Sequence, residues 1–231
     1  MALPRLLPAR DAYRLWAPQY DSCPNPLLSL ESRLLDPLLS LTAGCDVVDL
    51  GCGTGRSIAE LARAGARSIV GIDTSREMLQ RASQRLSPNA RLMRADCRDT
   101  RLRAQCCDWI LASFLLSYLD DLPAVAREAA RISRPHAFAL IADAHPATRS
   151  YGWRRTFRTS EEVFEIQTHP YEISDLHCAM RRAGFVPVFF REDGFGREEL
   201  AIFSQAGRRD LYRKAEGLPV FFAAGYRRGR L

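Results

Sequence analysis

Lysine is almost missing from this chain: Lys214 is the only one among 33 basic residues. Arginine replaces it throughout, so the formal net charge of +6 fits the codon bias of a GC-rich genome. The arginines are scattered rather than gathered into one stripe, which argues against a nucleic-acid partner. Long apolar runs are missing too. A membrane span needs about 18 apolar residues, and the best candidate, 109–119, is shorter and interrupted by serines. No membrane association is expected. Residues 1–10 lack the apolar core and small-residue cleavage site of a secretory signal, and the chain reads as cytoplasmic. No C-x-x-C occurs and the cysteine count, seven, is odd, so neither a disulfide framework nor a zinc ribbon is suggested, and no metal is expected. Repeats and low-complexity tracts are absent. A hydrophobic share of 47% excludes disorder, and 231 residues suit one domain with a sizeable core.

Residues 1–25 are rich in proline, tyrosine and arginine and read as largely irregular, with at most a turn of helix around 11–16. Asn25 is a good N-cap with Pro26 at the first helical position. Leu27, Leu30, Leu34, Leu35 and Leu38 then recur at helical spacing to about residue 40. Strands are predicted at 46–50, 68–72, 90–94, 107–112 and 137–142, alternating with helices at 54–64, 75–86 and 122–133. Apolar strands alternating with helices imply a parallel sheet covered on both faces. After Asp143 the rhythm changes. Residues 153–159 and 162–168 read as a hairpin, and 174–183 as a helix closed by Gly184. Residues 185–190 and 218–226 read as strands separated only by a helical stretch near 208–216, so they are expected to pair antiparallel.

The chemistry concentrates at the strand ends. Asp49-Leu50-Gly51-Cys52-Gly53-Thr54-Gly55 carries a buried strand into a glycine-rich turn and a helix, bringing backbone N–H groups to the sheet edge. Gly51 and Gly53 permit positive φ and close ligand approach, and Gly55 lets the helix lie close to the sheet. Asp49 can engage an ammonium group, directly or through water. Asp73 ends the second strand, where a carboxylate can accept two hydrogen bonds from a ribose diol. Asp96 follows the third strand, where a carboxylate can meet an adenine amino group. Each acid alone also suits a helix cap or a solvated loop end; three at successive strand ends point to a nucleoside site.

Val47 to Gly55 resembles the first motif of the class I S-adenosylmethionine-dependent methyltransferases. Gly71-Ile72-Asp73-Thr74-Ser75-Arg76-Glu77-Met78-Leu79 is similar to their second motif, Ala95-Asp96-Cys97 to their third, and the 107–113 segment to their fourth, a match over about 45–143. The resemblance implies an α/β fold: a three-layer α/β/α sandwich on a mostly parallel seven-stranded sheet. One strand is antiparallel, the seventh inserting beside the fifth, and a small hairpin insertion follows strand 5. It implies S-adenosylmethionine as cofactor and S-adenosylhomocysteine as product. Gly51, Gly53 and Gly55 would approach the methionine part, Asp73 would bind the ribose, Met78 would pack on adenine, and Thr74 would be a further cofactor contact. Asp96 and Cys97 would face the adenine edge, and Ser113 would lie where backbone meets the methionyl amine. Tyr13, Trp16 and Tyr20 resemble the aromatic lead-in that closes over the cofactor in small-molecule members; hydrophobic packing of an N-terminal arm is the other reading.

A nicotinamide dehydrogenase would read G-x-G-x-x-G, whereas Gly55 comes one residue early and Arg56 follows. Methyltransferases of nucleic-acid amines carry Asn/Asp-Pro-Pro-Tyr/Phe after the fourth strand; here Ala112-Ser113-Phe114-Leu115 stands instead. The expected function is methyl transfer to oxygen or nitrogen of a small metabolite, aromatic or carboxylate-bearing, by in-line displacement. The alternatives are a quinone-type C-methyltransferase, an RNA-modifying enzyme or a non-catalytic cofactor binder. The whole chain, 1–231, is expected to be one domain, with 1–42 an N-terminal arm and helix and 144–172 a substrate-side insertion, acting as monomer or homodimer. For the acceptor side, His145 and His169 are the base candidates. Tyr20, Tyr118, His145, Arg154 and Tyr171 are the expected substrate contacts. Arg154, Arg155 and Arg158 suit a carboxylate or phosphate clamp, with a solvated hairpin face as the other reading.

Overall fold

The computed structural model describes residues 4–22 and 24–229; Cys23, one of the seven cysteines, lies outside them. The chain opens with strand β1 (Arg5–Leu7), helix α1 (Ala9–Trp16) and helix α2 (Pro26–Leu39). Next come β2 (Asp46–Leu50), α3 (Arg56–Arg63), β3 (Ser68–Asp73), α4 (Arg76–Ala82), β4 (Ala90–Arg94), β5 (Cys107–Ser113), α5 (Leu122–Ile132) and β6 (Ser133–Ala144). A hairpin, β7 (Thr156–Arg158) and β8 (Val163–Ile166), interrupts the alternation. The chain then runs through α6 (Ile173–Arg182), β9 (Phe185–Asp193), α7 (Arg197–Gln205), α8 (Arg209–Ala215) and β10 (Phe221–Arg228). Among the described residues no helix is long and apolar enough to cross a membrane.

Seven strands form one sheet in the order β4-β3-β2-β5-β6-β10-β9, and β10 runs antiparallel to both neighbours. The expected topology is therefore present. Side-chain alternation splits the core in two. Val48, Leu50 and Ile110 pack with Val125, Ala129 and Met180 of α5 and α6. Val47, Trp109 and Leu111 pack on the opposite face with Leu34, Ile58 and Phe203 of α2, α3 and α7. Asn25 caps α2 as expected, its side chain accepting from Leu27 N, and the Ser75 side chain caps α4 by accepting from Met78 N.

Two expectations need correction. The first 25 residues are not largely irregular. β1 pairs parallel with β8, Leu7 opposite Ile166, making a three-stranded sheet in the order β1-β8-β7. A small separate core forms there from Ala12, Phe157, Phe164 and Ile166, with Trp16 stacked on Phe157 at 5.1 Å. The stretch between β9 and β10 holds α7 as well as α8. Gly196 starts α7, and its N–H is bonded to Glu199 Oε2 at 2.7 Å. Glu199 is fully buried, also accepting from Ser29 Oγ and Arg33 Nη2, so a buried carboxylate ties α7 to α2 in addition to the packing of Phe203.

Candidate functional site

The parallel register ends β2, β3 and β5 at one edge, and a cleft opens there, enclosing about 960 Å³ including its mouth. Gly51, Gly53 and Gly55 have φ of +76°, +53° and +78°, the left-handed region that suits glycine. Two of them face the cleft. A Cβ on Gly53 would meet nothing nearer than 4.0 Å, so a ligand can rest on its backbone. Gly55 does not line the cleft. Its missing Cβ would stand 3.0 Å from the Ala82 Cβ, so the residue allows α3 to close on α4 rather than on the sheet.

Asp73 pins this turn. Its carboxylate accepts from Gly53 N at 2.9 Å and from Ser75 N at 2.8 Å, and burial raises its pKa against those donors. Each oxygen keeps a second lone pair for a ligand hydroxyl. Asp49 is only 3% exposed, and its Oδ2 is buried without a partner among the described residues. Burial, joined by the charges of Glu31 and Asp73, pushes its carboxyl up to about 8. An uncompensated buried carboxylate at the mouth of a glycine turn is complementary to a ligand cation. Met78 is 2% exposed on the cleft wall, and Thr74, Cys97, Ser113, Tyr13 and Tyr20 line the same space.

Asp96 is placed differently. Both of its oxygens accept from the Arg98 guanidinium, which also reaches Asp120, and the ion pair holds the Asp96 carboxyl below the usual range. The carboxylate is not part of the cleft lining, although Ala95 and Cys97 beside it are.

Glu31 and Arg56 line the cleft and were missed in the sequence. Arg56 Nη1 donates to Glu31 Oε2 at 2.9 Å, and the Ser113 hydroxyl donates to Glu31 Oε1. Burial raises the Glu31 pKa against the Arg56 charge. The available signal was an acid on the leucine stripe of α2, between Leu27 and Leu34.

A second chamber, about 1180 Å³ with its mouth, lies beyond β6 under the hairpin. His145, His169, Arg154 and Tyr171 line it, whereas Tyr20 and Tyr118 line the first cleft. The two cavities adjoin where Phe114, Tyr118 and Arg155 meet. The Arg155 guanidinium lies 4.7 Å from the Phe114 ring centre and 5.9 Å from that of Tyr118, and pairs with the fully buried Asp143 at 3.2 Å. Phe114 itself has φ of +50°, a strained backbone for an aromatic residue. Tyr118 is tied to the arm, its hydroxyl accepting from the Tyr13 hydroxyl at 2.8 Å.

The two histidines differ. His145 Nδ1 accepts from Ala147 N, so the neutral ring carries its proton on Nε2, 2.7 Å from Glu192 Oε1. With both nitrogens engaged it presents no free base. The His169 ring has no hydrogen-bond partner among the described residues; its backbone N–H donates to Ser117 O. Arg154 is tied to Glu165 at 2.8 Å with its side chain 69% exposed.

A family profile described as a methyltransferase domain matches residues 47–136. A malonyl-[acyl-carrier protein] O-methyltransferase of Pectobacterium atrosepticum is 32% identical over 152 residues, 63% of this chain and 56% of that protein. A demethylmenaquinone methyltransferase of Tropheryma whipplei is 33% identical over 177 residues, 69% of this chain and 74% of that protein. This chain thus spans little more than half of the first relative and about three quarters of the second. The crystal structure of an S-adenosylmethionine-dependent methyltransferase from Mesorhizobium loti has the same fold, with a TM-score of 0.66 at 21% identity, covering 83% of this chain and 96% of that one. The glycine turn, the unpartnered Asp49 oxygen, the sheet order and these likenesses agree: the chain belongs to the S-adenosylmethionine-dependent methyltransferases.

Proposed function

We propose that this chain transfers a methyl group from S-adenosylmethionine to an oxygen or nitrogen atom of a small-molecule acceptor. The observation that carries this reading is the pair of adjoining cavities, the second of them walled by the hairpin and small enough to enclose a metabolite. When bound, the donor supplies a methyl on a sulfonium whose departure leaves a neutral thioether.

The chain's own residues then have positional tasks. Asp49 receives the donor's ammonium, and Asp73, already fixed by Gly53 and Ser75, receives the ribose hydroxyls. Met78 and Cys97 enclose the adenine. Tyr13 and Tyr20 close the cleft from the arm and exclude water. An acceptor that arrives protonated gives its proton to His169, the histidine whose ring is uncommitted. His145 holds the chamber wall through Ala147 and Glu192.

A carbon acceptor is the second reading, favoured by the likeness to the demethylmenaquinone methyltransferase. The decisive experiment is calorimetry with S-adenosylhomocysteine, followed by transfer of a ¹³C-labelled methyl to a metabolite extract. Absence of binding would overturn the proposal. The carbon shift of the transferred methyl separates O-, N- and C-methyl products.

A further inference from the structure

The second chamber is lopsided in its chemistry. Three arginines line it, Arg149, Arg154 and Arg155, against one carboxylate, Glu165, which Arg154 already neutralises. Arg149 makes one hydrogen bond, to Thr168 Oγ1 at 3.1 Å, and no ion pair among the described residues. Arg155 makes one hydrogen bond, to Asp143, although a guanidinium has five N–H donors. Its side chain is only 19% exposed, where an arginine is rarely placed without a task.

The polar oxygens point the same way. The Tyr171 hydroxyl is buried and has no hydrogen-bond partner among the described residues, although it lies within the fields of Asp143 and Arg155. Burial raises this phenol further above its ordinary value, so it remains a donor. Among the described residues the chamber thus offers the unpaired Arg149, the spare N–H donors of the Asp143-paired Arg155 and an unspent hydroxyl, with no unneutralised acid of its own lining. Such a site suits a group that only accepts.

Resting on the methyl-transfer reading above, we infer that the chamber recognises an acceptor by a carboxylate, held by Arg155 and Arg149 with the Tyr171 hydroxyl as third donor. The geometry then orients the molecule. The Arg155 guanidinium carbon lies 4.7 Å over the ring of Phe114, which also lines the donor cleft, so a carboxylate held there sets the rest of the acceptor against that partition. Two arginines and a phenol select against the neutral isostere, because the cations would be left facing an amide.

The test is calorimetric titration of three carboxylate/carboxamide pairs, benzoate/benzamide, butyrate/butyramide and cinnamate/cinnamamide, into protein saturated with S-adenosylhomocysteine. At least one carboxylate should bind tenfold or more tighter than its amide. Tyr171→Phe removes a hydroxyl that bonds nothing in the free protein, so the fold should tolerate it; carboxylate affinity should fall roughly ten- to a hundredfold, the range for a hydrogen bond to a charged group. Arg149→Gln should act in the same direction. The double variant Asp143→Asn/Arg155→Gln, which leaves no orphaned charge, should abolish the preference. No carboxylate preference in any pair, or one that Tyr171→Phe and Arg149→Gln leave unchanged, overturns the inference. Failure to bind S-adenosylhomocysteine overturns instead the methyl-transfer reading; the same titrations run without it then still decide the chamber.

Discussion

Binding of S-adenosylhomocysteine should expel a proton from Asp49 at neutral pH. In the free protein, burial and the nearby Glu31 and Asp73 hold this carboxyl at about 8. At pH 7 it is therefore roughly 0.9 protonated. An ammonium seated beside it favours the ionised form, and the proton leaves. The ligand's α-amino group, which stands beside its own carboxylate, is essentially fully protonated at pH 7 and takes up little. The net expectation is release of roughly 0.9 proton at pH 7, falling to roughly half a proton at pH 8. Below pH 7 affinity should fall about tenfold per pH unit, because binding must displace a whole proton. Calorimetry in phosphate, HEPES and Tris, which differ in ionisation enthalpy, reads the proton count directly. Asp49→Asn should lose the release and the acid-side slope. A wild-type protein that releases no proton at pH 7, or an Asp49→Asn variant that releases as much, would refute the assignment of Asp49 to the ammonium.

Asp73→Ala should weaken S-adenosylhomocysteine roughly ten- to a hundredfold by calorimetry, through the lost ribose contacts and the loosened Gly53 turn; an unchanged affinity would remove Asp73 from the ribose. Gly55→Ala should cost about 1–3 kcal/mol in urea unfolding, because φ is +78° and Ala82 stands 3.0 Å from the new Cβ. Trp16→Ala removes rings packed at 5.1 Å on Phe157 and 4.7 Å on Tyr20. The arm should open more often, raising the S-adenosylhomocysteine dissociation rate roughly five- to tenfold in stopped-flow measurements.

The donor half of the site was readable because its contacts are local. Asp49, Gly51 and Gly53 lie within one turn, Asp73 follows at a strand end, and parallel pairing brings such ends to one edge. The glycines could be assigned φ but not neighbours, so the contact of Gly55 with Ala82 was invisible until α4 was placed. Asp96 shows a limit of another kind. A strand-end acid points to a ligand only while no nearer cation claims it, and Arg98, two residues on, does. The acceptor half was hardest to read because its contacts are distant in sequence. Nothing in Arg5-Leu6-Leu7 indicates a partner at Phe164. Alternation along 154–158 places Arg155 and Phe157 on one face, yet only the packed hairpin shows that this face is the buried one, with Phe157 5% exposed while the Arg154 side chain is 69% exposed. Tyr118 and Tyr171, one expectation in sequence, fall in different cavities.

The pairing of β1 with β8 also sets an order of events during synthesis. Strand β1 leaves the ribosome first, but its partner β8 is made about 160 residues later. At about 5–20 residues per second, β1 waits on the order of ten to thirty seconds. The strands that carry Asp49 and Asp73, and the β5 that pairs with the first of them, emerge well before that. The donor cleft therefore acquires its floor while its cover is still unpaired, and the three-stranded sheet that unites cover and acceptor chamber can close only after that floor, ahead of β9 and β10, which extend the main sheet later still.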